Sequence, residues 1–551
     1  MNTTTLSGTL FARMVRNGAE NLNRSRTIVN DLNVFPIPDG DTGDNMFMTI
    51  DSGTHAVVDG EDLSLEEMAS KIARGMLLGA RGNSGVILSR IFAGIARGFL
   101  GNGSADVRIV AKAFECGVTE SYSAVSVPVE GTILTVYRDA VNYANSRIRD
   151  DSTLEDYFED FIGELRLSLE RTPELLEVLK QAGVVDSGGA GFVYIVEGMR
   201  MALDGVINES TMSASSSSAQ PIDVSAFTEN SVMEFGYCTE FLLRLQNSKV
   251  DILNFDEKIL IDYLNSVGDS VVAFREGSIV KVHVHTMHPG EILNQCQRYG
   301  EFLTLKIENM MIQHEGTTVR NSFSVAPKKV HKAYGIVAVA SGKGIREIFT
   351  SLGTDVVIDG GQSMNPSAED FISAFEKIDA DTILVFPNNS NIILTAKQAA
   401  ALYGKADVRV IPNRTIGEGY AALSVLDTSS GDVDSILADI NAGIEGVVTG
   451  TISKASRDTE KDGVCVRAGD YIGFVDDTIY VDDICAENAC MTLAEKLNAG
   501  RYDVVLLICG KESSADAADA LYSKLKETYK RTEVIMIDGG QPIYDYLIIL
   551  E

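Results

Sequence analysis

The stretch NVFPIPDGDTGDNM, residues 33–46, is the most informative part of this chain. Its two prolines stiffen the approach to a loop, and its glycines let the backbone turn tightly. The turn brings the carboxylates of Asp39 and Asp41 towards a common point. Two such carboxylates repel each other unless a cation lies between them, and their hard oxygens suit Mg²⁺. We therefore expect a magnesium site in this loop, ahead of a helix that begins near Asn45.

Two other kinds of loop share some of these residue types. A calcium EF-hand loop is excluded by its spacing, because it needs glycine at its sixth position and glutamate at its twelfth. This chain has Asp44 and Ile50 at those positions. A polar turn that only caps the following helix stays open, since Asp and Thr side chains also satisfy backbone amides.

Three further loops combine glycine with hydroxyl or amide side chains directly before predicted helices. Residues 79–85 (GARGNSG) precede a helix at Val86, and such a group at a helix start suits an anion. The alternative is that these glycines only let helices pack closely. The other two loops are residues 185–191 (VDSGGAG) and residues 130–132 (EGT). Together with residues 33–46 they predict a rim of loops around a nucleotide phosphate.

The residues that surround these loops follow helical periodicity. Leu10, Met14, Val15 and Leu22 recur close to every 3.6 residues. Further helices are expected at residues 76–99, 107–121, 133–148 and 154–182. Few strand signals interrupt them, so an all-α helical bundle or barrel is predicted for residues 1–207. The chain contains neither a P-loop sequence nor the protein-kinase signature set.

The remainder of the chain divides by composition and periodicity. Residues 208–224 are rich in serine and read as a flexible linker. Residues 225–326 mix strand and helix patterns and predict a small α+β domain. Residues 327–551 alternate strands and helices, which predicts an α/β domain with parallel sheet.

An internal sequence repeat predicts that this last domain has two related lobes. VVIDGGQ at residues 356–362 is matched by VIMIDGGQ at residues 534–541. Between them, residues 464–481 have the pattern of a hairpin whose turn is Asp476-Asp477. We expect partner docking to be the task of these lobes.

Composition excludes several classes of function. The 551 residues include 78 acidic and 47 basic side chains, a formal net charge of −31, which argues against nucleic acid or an anionic membrane as the main partner. With 45% hydrophobic residues each domain can bury a core. Seven unevenly spaced cysteines favour a reducing compartment. There is no signal-peptide pattern and no apolar run of about 18 residues, so a cytoplasmic protein without a transmembrane segment is expected.

The motifs at residues 33–46, 79–88 and 186–191 resemble the nucleotide-binding domain of the dihydroxyacetone kinase L-subunit type. The order of a helical domain, a Ser-rich linker and two further domains is similar to that of the ATP-binding component of bacterial fatty acid kinases. The resemblance implies an ATP-dependent kinase that uses two Mg²⁺ ions, and it suggests a homodimer.

The resemblance also implies roles for individual side chains. Asp39 and Asp41 would hold two Mg²⁺ ions that bridge the ATP phosphates, with Asn33 preferred to Asp31 as the third ligand. Asp44 stands where that family is expected to have threonine or alanine, which puts in doubt any role for this side chain. The residues that would contact the nucleotide are Thr42, Asn45, Asn83, Ser84, Thr132, Asp186, Ser187 and Gly188.

The acceptor is expected to be a carboxylate. A carboxylic acid with a pKa near 4 is already anionic at neutral pH and needs no general base. Dihydroxyacetone kinases hold their substrate through a histidine of a separate domain, whereas His55 is the only histidine in this helical domain.

The fatty acid kinase family implies that a separate fatty-acid-binding protein presents the acyl carboxylate, which this chain converts to acyl phosphate. The α/β lobes are somewhat similar to the fold of that partner. The alternatives are a kinase for a small polyol or dihydroxyacetone, and a nucleotide-binding scaffold without enzymatic activity.

A second metal site is predicted in the middle domain. His283 and His285 alternate with valines, so in a strand both imidazoles would share one face. Cys238 could supply a third ligand from a neighbouring strand, and the family resemblance implies zinc here. The alternative is a polar strand face with a core cysteine. The fourth ligand stays open among water, His288 and Glu240.

Overall fold

The computed structural model describes residues 3–32, 40–57, 63–125, 127–206, 237–250, 252, 255, 257–276, 278–309, 331–361, 364–428 and 432–551. The chain divides into two compact units. One unit joins residues 1–210 to residues 329–551, and the other is residues 211–328. The predicted linker at residues 208–224 lies outside the described residues.

The first part of the larger unit is helical. Its helices are α1 (Gly8–Asn30), α2 (Thr42–His55), α3 (Leu65–Gly79), α4 (Gly82–Gly98), α5 (Val107–Ser123), α6 (Ile133–Arg147), α7 (Leu154–Leu175), α8 (Glu177–Ala182) and α9 (Ser187–Leu203). A short ribbon of β1 (Leu6–Ser7) and β2 (Ser104–Ala105) accompanies them. The predicted helical fold class is confirmed. Within the described ranges, no helix of the chain is long and apolar enough to cross a membrane.

Two of the predicted helices are each divided in the structure. The helix expected at residues 76–99 is interrupted between α3 and α4, because Gly82 has a φ of 58° that a continuous helix does not allow. The helix expected at residues 154–182 is interrupted at Leu176, between α7 and α8. Leu176 has extended backbone angles, φ −128° and ψ 105°, which a continuous helix does not allow.

The core of the helical part combines close helix contacts with a cluster of aromatic rings. A Cβ at Gly18 of α1 would lie 2.7 Å from the carbonyl oxygen of Ile195 in α9, so glycine permits this approach. Phe114 lies edge-on to Phe158 and Phe161, with ring centroids 5.9 and 5.3 Å apart. Such a packed scaffold gives the loops at the helix ends a fixed support.

The middle unit is an α+β domain, as predicted. Its elements are β3 (Tyr237–Leu245), α10 (Glu257–Val267), β4 (Asp269–Glu276), β5 (Ile279–Thr286), α11 (Pro289–Cys296) and β6 (Gly300–Asn309). The four strands form one antiparallel sheet in the order β4-β5-β3-β6.

The C-terminal domain contains a parallel sheet and a mixed sheet. The elements around the parallel sheet are β7 (Lys332–Ala340), α12 (Lys343–Ser351), β8 (Val356–Asp359), α13 (Ala368–Phe375), β9 (Ala380–Phe386), α14 (Ser390–Tyr403), β10 (Asp407–Val410), α15 (Ile416–Ser424) and α16 (Val433–Ile444). The four strands are parallel and lie in the order β10-β9-β7-β8.

The second sheet has six strands in the order β15-β14-β11-β18-β16-β17. Its region comprises β11 (Val448–Lys454), β12 (Thr459–Lys461), β13 (Val464–Val466), β14 (Tyr471–Val475), β15 (Thr478–Asp483), α17 (Ala486–Lys496), β16 (Val504–Cys509), α18 (Ala515–Thr528), β17 (Glu533–Asp538) and β18 (Tyr544–Leu550). The α/β fold class predicted for this domain is confirmed.

The two copies of the internal sequence repeat occupy equivalent positions in the two sheets. β8 pairs parallel with β7, and β17 pairs parallel with β16, each after one connecting helix. Both copies of the repeated sequence therefore end an edge strand. The predicted hairpin is present as β14 and β15, which turn at Asp476 and Asp477, although its first strand begins only at Tyr471.

Candidate functional site

Asp41 is the described carboxylate of the predicted magnesium loop. The other two predicted ligands, Asn33 and Asp39, lie outside the described residues. Asp41 occupies the N-cap position of α2 but makes no side-chain cap hydrogen bond. Its Oδ2 instead accepts a 2.6 Å hydrogen bond from Nδ2 of Asn365, a residue of the C-terminal domain. Helix capping therefore does not account for this carboxylate.

The surroundings of Asp41 disfavour its negative charge. Burial raises the pKa of Asp41 to about 6, and the charge of Asp44 adds to the rise. Hydrogen bonds from the side chains of Asn45 and Asn365 act in the opposite direction and lower it. A partly buried carboxylate in such a place gains from a neighbouring cation, and perturbed carboxylates of this kind concentrate at functional sites.

Asp44, which departs from the expected family pattern, serves to attach α2 to α1. Its Oδ1 accepts a 2.9 Å hydrogen bond from Arg26, and its Oδ2 accepts one of 2.8 Å from Asn30. Asn30 Oδ1 in turn accepts a 2.7 Å hydrogen bond from the backbone N–H of Gly43. Asn30, rather than an aspartate of the loop, thus satisfies an amide at the start of α2.

The second loop packs directly against α2. Gly82 has positive φ, and a Cβ there would lie 2.6 Å from Nδ2 of Asn45. A Cβ at Gly85 would collide with the Thr49 hydroxyl. Close packing through glycine is therefore present in this loop, while its use as an anion cradle stays a prediction.

The third loop joins the first through a pair of hydroxyl groups. Ser187 Oγ donates a 3.3 Å hydrogen bond to Thr42 Oγ1. Asp186 is the N-cap residue of α9, and its Oδ2 accepts a 2.7 Å hydrogen bond from the backbone N–H of Gly189. Gly188, in the first turn of α9, is buried. The starts of α2 and α9 consequently lie side by side.

The fourth loop reaches the same place through Asp186. Thr132 is the N-cap residue of α6, and its Oγ1 donates a 2.8 Å hydrogen bond to the carbonyl of Val129. Burial raises the pKa of Asp186 to about 6, whereas hydrogen bonds from the backbone N–H groups of Gly189 and Ile133 lower it. The contact with Ile133 places Thr132 beside Asp186. All four loops singled out in the sequence are thus linked at one end of the helical part.

Residues 364–370 of the C-terminal domain complete this end, and the sequence analysis missed them. Arg81 Nη1 donates a 2.7 Å hydrogen bond to the carbonyl oxygen of Asn365 and lies 3.6 Å from Asp370 Oδ2. Asn365 and Asp41 are 324 positions apart in the chain. No local motif signals the contact, because the segment becomes relevant only once the two domains pack together.

Two asparagines mark the border between these domains. Asn365 is only 1% exposed, and its Oδ1 has no hydrogen-bond partner in the described part of the chain. An unsatisfied buried acceptor costs about 1–3 kcal/mol, so a ligand that supplies a positive partner would relieve it. Asn83 Nδ2 donates a 3.4 Å hydrogen bond to Asn391 Oδ1, and the next residue, Ser84, is half-buried.

The predicted zinc site is described only by its backbone. Cys238 of β3 pairs with His285 of β5, and Glu240 pairs with His283. The side chains of these four residues lie outside the described part of the structure. Among the side chains that are described, no group of three or more His, Cys, Asp or Glu could hold a metal ion. The zinc site stays a prediction, which metal analysis of the purified protein with and without Cys238→Ala tests.

Three family descriptions match the sequence. The DAK2 domain matches residues 36–201, the FakA-like middle domain of fatty acid kinase matches residues 234–317, and the FakA-like C-terminal domain matches residues 335–551. The chain belongs to the FakA-like fatty acid kinase family. Protein YloV of Bacillus subtilis, 37% identical, and an uncharacterized protein of Staphylococcus epidermidis, 36% identical, each align over at least 99% of both chains. The resemblance inferred from the motifs is confirmed.

Solved structures similar to parts of this FakA-like chain have low identity. A DegV family protein from Thermus thermophilus, described as binding fatty acid, has 13% identity and a TM-score of 0.31, and it covers 40% of this chain and 99% of its own. The dihydroxyacetone kinase of C. freundii has 18% identity and a TM-score of 0.28, covering 35% and 34%. The Streptococcus pneumoniae Fak B3 protein loaded with linoleic acid has 12% identity and a TM-score of 0.28, covering 40% and 99%.

Proposed function

We propose that this chain is the ATP-dependent component of a fatty acid kinase. It transfers the γ-phosphoryl group of ATP to the carboxylate of a fatty acid that a separate fatty-acid-binding protein presents. A carboxylate oxygen forms the new bond to phosphorus, the bond to the bridging β-phosphate oxygen breaks, and acyl phosphate and ADP leave. Membership of the FakA-like fatty acid kinase family supports the kinase, and the acceptor and the partner are our proposal.

The observation that carries the proposal is the surroundings of Asp41. One partly buried carboxylate with a raised pKa lies where four loops and a segment of a second domain meet. All four loops lead into helices, which begin at Thr42, Gly82, Ile133 and Ser187. Backbone N–H groups at helix starts, together with the helix dipole, favour phosphate oxygens. A Mg-nucleotide requires a carboxylate that binds the divalent cation and backbone amides that bind the phosphate oxygens.

The donor set near Asp41 fits magnesium. Mg²⁺ prefers carboxylate and carbonyl oxygens, and it keeps several of its waters. Asp41 offers a carboxylate, and the Oδ1 of Asn365, which has no partner among the described residues, offers a further hard oxygen next to it. Asp39 and Asn33 would complete the set. When bound, the ions would neutralise charge on the phosphates.

The remaining residues of the proposed site would hold and orient the nucleotide. Thr42 and Ser187 present adjacent hydroxyls at the starts of α2 and α9. Asn45 is buried beside Asp41 and Gly82, so it fixes the distance between the metal loop and the second loop. Positioning of this kind supplies most of the catalysis in phosphoryl transfer. We propose contacts with the nucleotide for Asn83, Ser84, Thr132, Asp186 and Gly188 as well.

The position of His55 favours a carboxylate acceptor. It is the last residue of α2, whereas Thr42 is the first, and 14 residues of helix span about 20 Å. His55 is exposed and lies 3.3 Å from Asp51. It is therefore too far from the loops to hold a ketone or to accept a proton there. An anionic carboxylate acceptor needs neither a histidine to hold it nor a base to remove a proton.

A coupled assay of ADP release tests the proposal. The full chain is mixed with ATP, Mg²⁺ and a fatty-acid-binding protein loaded with fatty acid, and hydroxylamine traps acyl phosphate as a hydroxamate. Matched reactions contain free glycerol or dihydroxyacetone. We expect ADP and hydroxamate only with the loaded protein. ADP release with the small alcohols would show a polyol kinase, and nucleotide binding without turnover on any acceptor would show a scaffold; either result overturns the proposal.

A further inference from the structure

A cavity of about 390 Å³ opens at the carboxyl ends of the parallel strands of the C-terminal domain. The chain passes from β7 to β8 on one side, then returns to the other side for β9. The loops after β7 and β9 therefore leave in opposite directions. Such a reversal in a parallel sheet creates a crevice in which ligands bind. The volume is also typical of small-molecule sites.

Three helices begin at the wall of this cavity. Ser341 precedes α12, Ser390 begins α14, and Thr415 precedes α15, and all three residues line the space. The N-terminal ends of these helices place the partial positive charge of the helix dipole at this wall, while the first N–H groups of α12, at Gly344 and Ile345, already donate to the carbonyl oxygen of Gly539. Arg414 also lines the cavity and adds a full positive charge. These features together favour an anion.

The side-chain amide of Asn389, in the same wall, has a buried N–H donor without a partner among the described residues. Asn389 is 4% exposed and lines the cavity. Its Oδ1 accepts a 2.8 Å hydrogen bond from the backbone N–H of Asn391, which fixes the orientation of the amide. Its Nδ2 is left without a hydrogen-bond partner among the described residues. A buried donor in this state costs free energy, which a ligand oxygen would recover.

The loop that carries Asn389 is held in shape by its neighbours. Asn388 has a φ of 58°, an uncommon backbone conformation for a residue other than glycine. Its Nδ2 donates a 2.7 Å hydrogen bond to the carbonyl of Val339, and Asn413 donates to its Oδ1. Backbone strain maintained by a buried network is typical of ligand-binding loops.

The other side chains that line the cavity limit what the ligand can be. Val339, Ile345 and Phe474 supply apolar surface, and Asp476 and Asp477 of the β14–β15 turn lie exposed at the rim. The apolar wall suits a hydrocarbon portion. Acidic side chains at the rim repel a highly charged ligand, although solvent screens them.

We propose that this cavity binds a small molecule that has an oxyanion head group, a carboxylate or a phosphate, attached to an apolar body. The head group accepts a hydrogen bond from Asn389 Nδ2 and meets the three helix starts, and the apolar body lies against Val339 and Phe474. The site is a different cavity from the nucleotide loops, although it borders one of them, because Asn391 lines the cavity and accepts a hydrogen bond from Asn83. The inference does not depend on the proposed kinase reaction.

Calorimetric titration of the full chain without nucleotide tests this site. The probes are octanoate, octyl phosphate and the neutral octanamide. We expect at least one of the two anions to bind about tenfold or more tightly than octanamide, and the tighter anion identifies the head group. Equal binding of octanamide, or binding of none of the probes, would overturn the proposal.

Variants locate the binding. Asn389→Asp keeps the oxygen that accepts from Asn391, but it replaces the donor with a negative charge, so anion affinity should fall about tenfold or more. Ser514→Asp places the same charge at the exposed N-cap of α18 and is the matched control. Arg414→Gln changes an exposed side chain without altering a helix cap and should also weaken binding. Wild-type affinity in both Asn389→Asp and Arg414→Gln would refute the assignment.

Discussion

Asp41 and Asp186 are two acids of the same helical domain, and burial raises the pKa of each to about 6. Their partners differ. Asp186 accepts hydrogen bonds from the backbone of its own helix and of the neighbouring α6. Asp41 accepts hydrogen bonds from Asn45 of its own helix and from Asn365, 324 positions away in another domain. The first carboxylate is hydrogen-bonded only within the described helical domain, while the second also depends on how the domains pack.

The difference indicates which acid is available for chemistry. Asp186 already serves as a helix cap, so its side-chain oxygen has a structural use. Asp41 caps nothing, and beside it the Oδ1 of Asn365 lacks a partner in the described residues. A buried acid without a structural task is the stronger candidate for binding a cation. Replacing Asp41 by asparagine should therefore lower the rate of phosphoryl transfer, whereas the same replacement at Asp186 should raise the free energy of unfolding.

The largest effect is expected for Asp41→Asn. Loss of one anionic ligand to a metal that neutralises the phosphates should lower kcat by about 1,000-fold, with the fold retained. ADP release with loaded fatty-acid-binding protein measures this, and circular dichroism checks the fold. Asp51→Asn, on the same helix, is the control and should leave kcat within a small factor. A rate near wild type for Asp41→Asn would remove the basis of the proposed mechanism.

Asn365→Ala tests whether the second domain supports Asp41. It removes the only described side-chain hydrogen bond that reaches Asp41 from the C-terminal domain, so we expect kcat/KM to fall about tenfold and Mg²⁺ affinity to weaken. Magnesium titration by calorimetry provides a readout that is independent of turnover.

Gln398→Ala is the matched control for Asn365→Ala. Gln398 donates a 2.7 Å hydrogen bond to the carbonyl of Leu77 and accepts one of 3.0 Å from Arg90, also between the domains but outside the loops at Asp41. If both variants weaken magnesium binding equally, domain packing rather than Asn365 itself is responsible.

Asp186→Asn should stabilise the protein at neutral pH. Because the pKa of Asp186 in the folded state, about 6, exceeds its ordinary value of 3.8, the folded protein retains a proton that the unfolded chain has lost. Its contribution to stability therefore falls as pH rises from about 4 to about 6. The asparagine variant keeps the helix cap, and its stability does not fall over this pH range because asparagine does not ionise.

Urea unfolding of the Asp186→Asn protein at several pH values measures the effect. We expect a gain of about 1–2 kcal/mol in the free energy of unfolding at pH 7.5, reduced by the partial solvent contact of the residue, and no gain below about pH 4. Asp106→Asn, at the exposed N-cap of α5, is the control and should give a smaller change. A loss of stability at pH 7.5 would contradict the argument.

The smallest effect is expected for Asp44→Ala. It breaks the contacts with Arg26 and Asn30 that join α2 to α1, at a partly exposed position. The free energy of unfolding should fall by about 1 kcal/mol, whereas kcat should change little. A drop in kcat comparable to that of Asp41→Asn would mean that Asp44 belongs to the catalytic site.

Periodicity and motif spacing predicted most of the architecture and half of the candidate site. Helical repeats, the serine-rich stretch and the alternation of strands with helices were each readable from local patterns. The linked loops at Thr42, Gly82, Thr132 and Ser187 were also anticipated, because glycine and hydroxyl residues before a helix have local causes. The helix interruption at Leu176 was missed, since flanking apolar periodicity continues across it. At Gly82 the periodicity also favoured a continuous helix, while the glycine-rich loop at residues 79–85 indicated a helix start.

By itself the sequence determined the fold class of each domain, the family, and the residue types that gather around Asp41, because these depend on interactions within a few turns of chain. Only the tertiary structure brought Asn365 and Arg81 to that loop and opened the cavity beside Asn389. Both arise where strands and helices distant in the chain come together. Such contacts leave no periodic trace in the sequence, since their geometry is set by packing between whole elements.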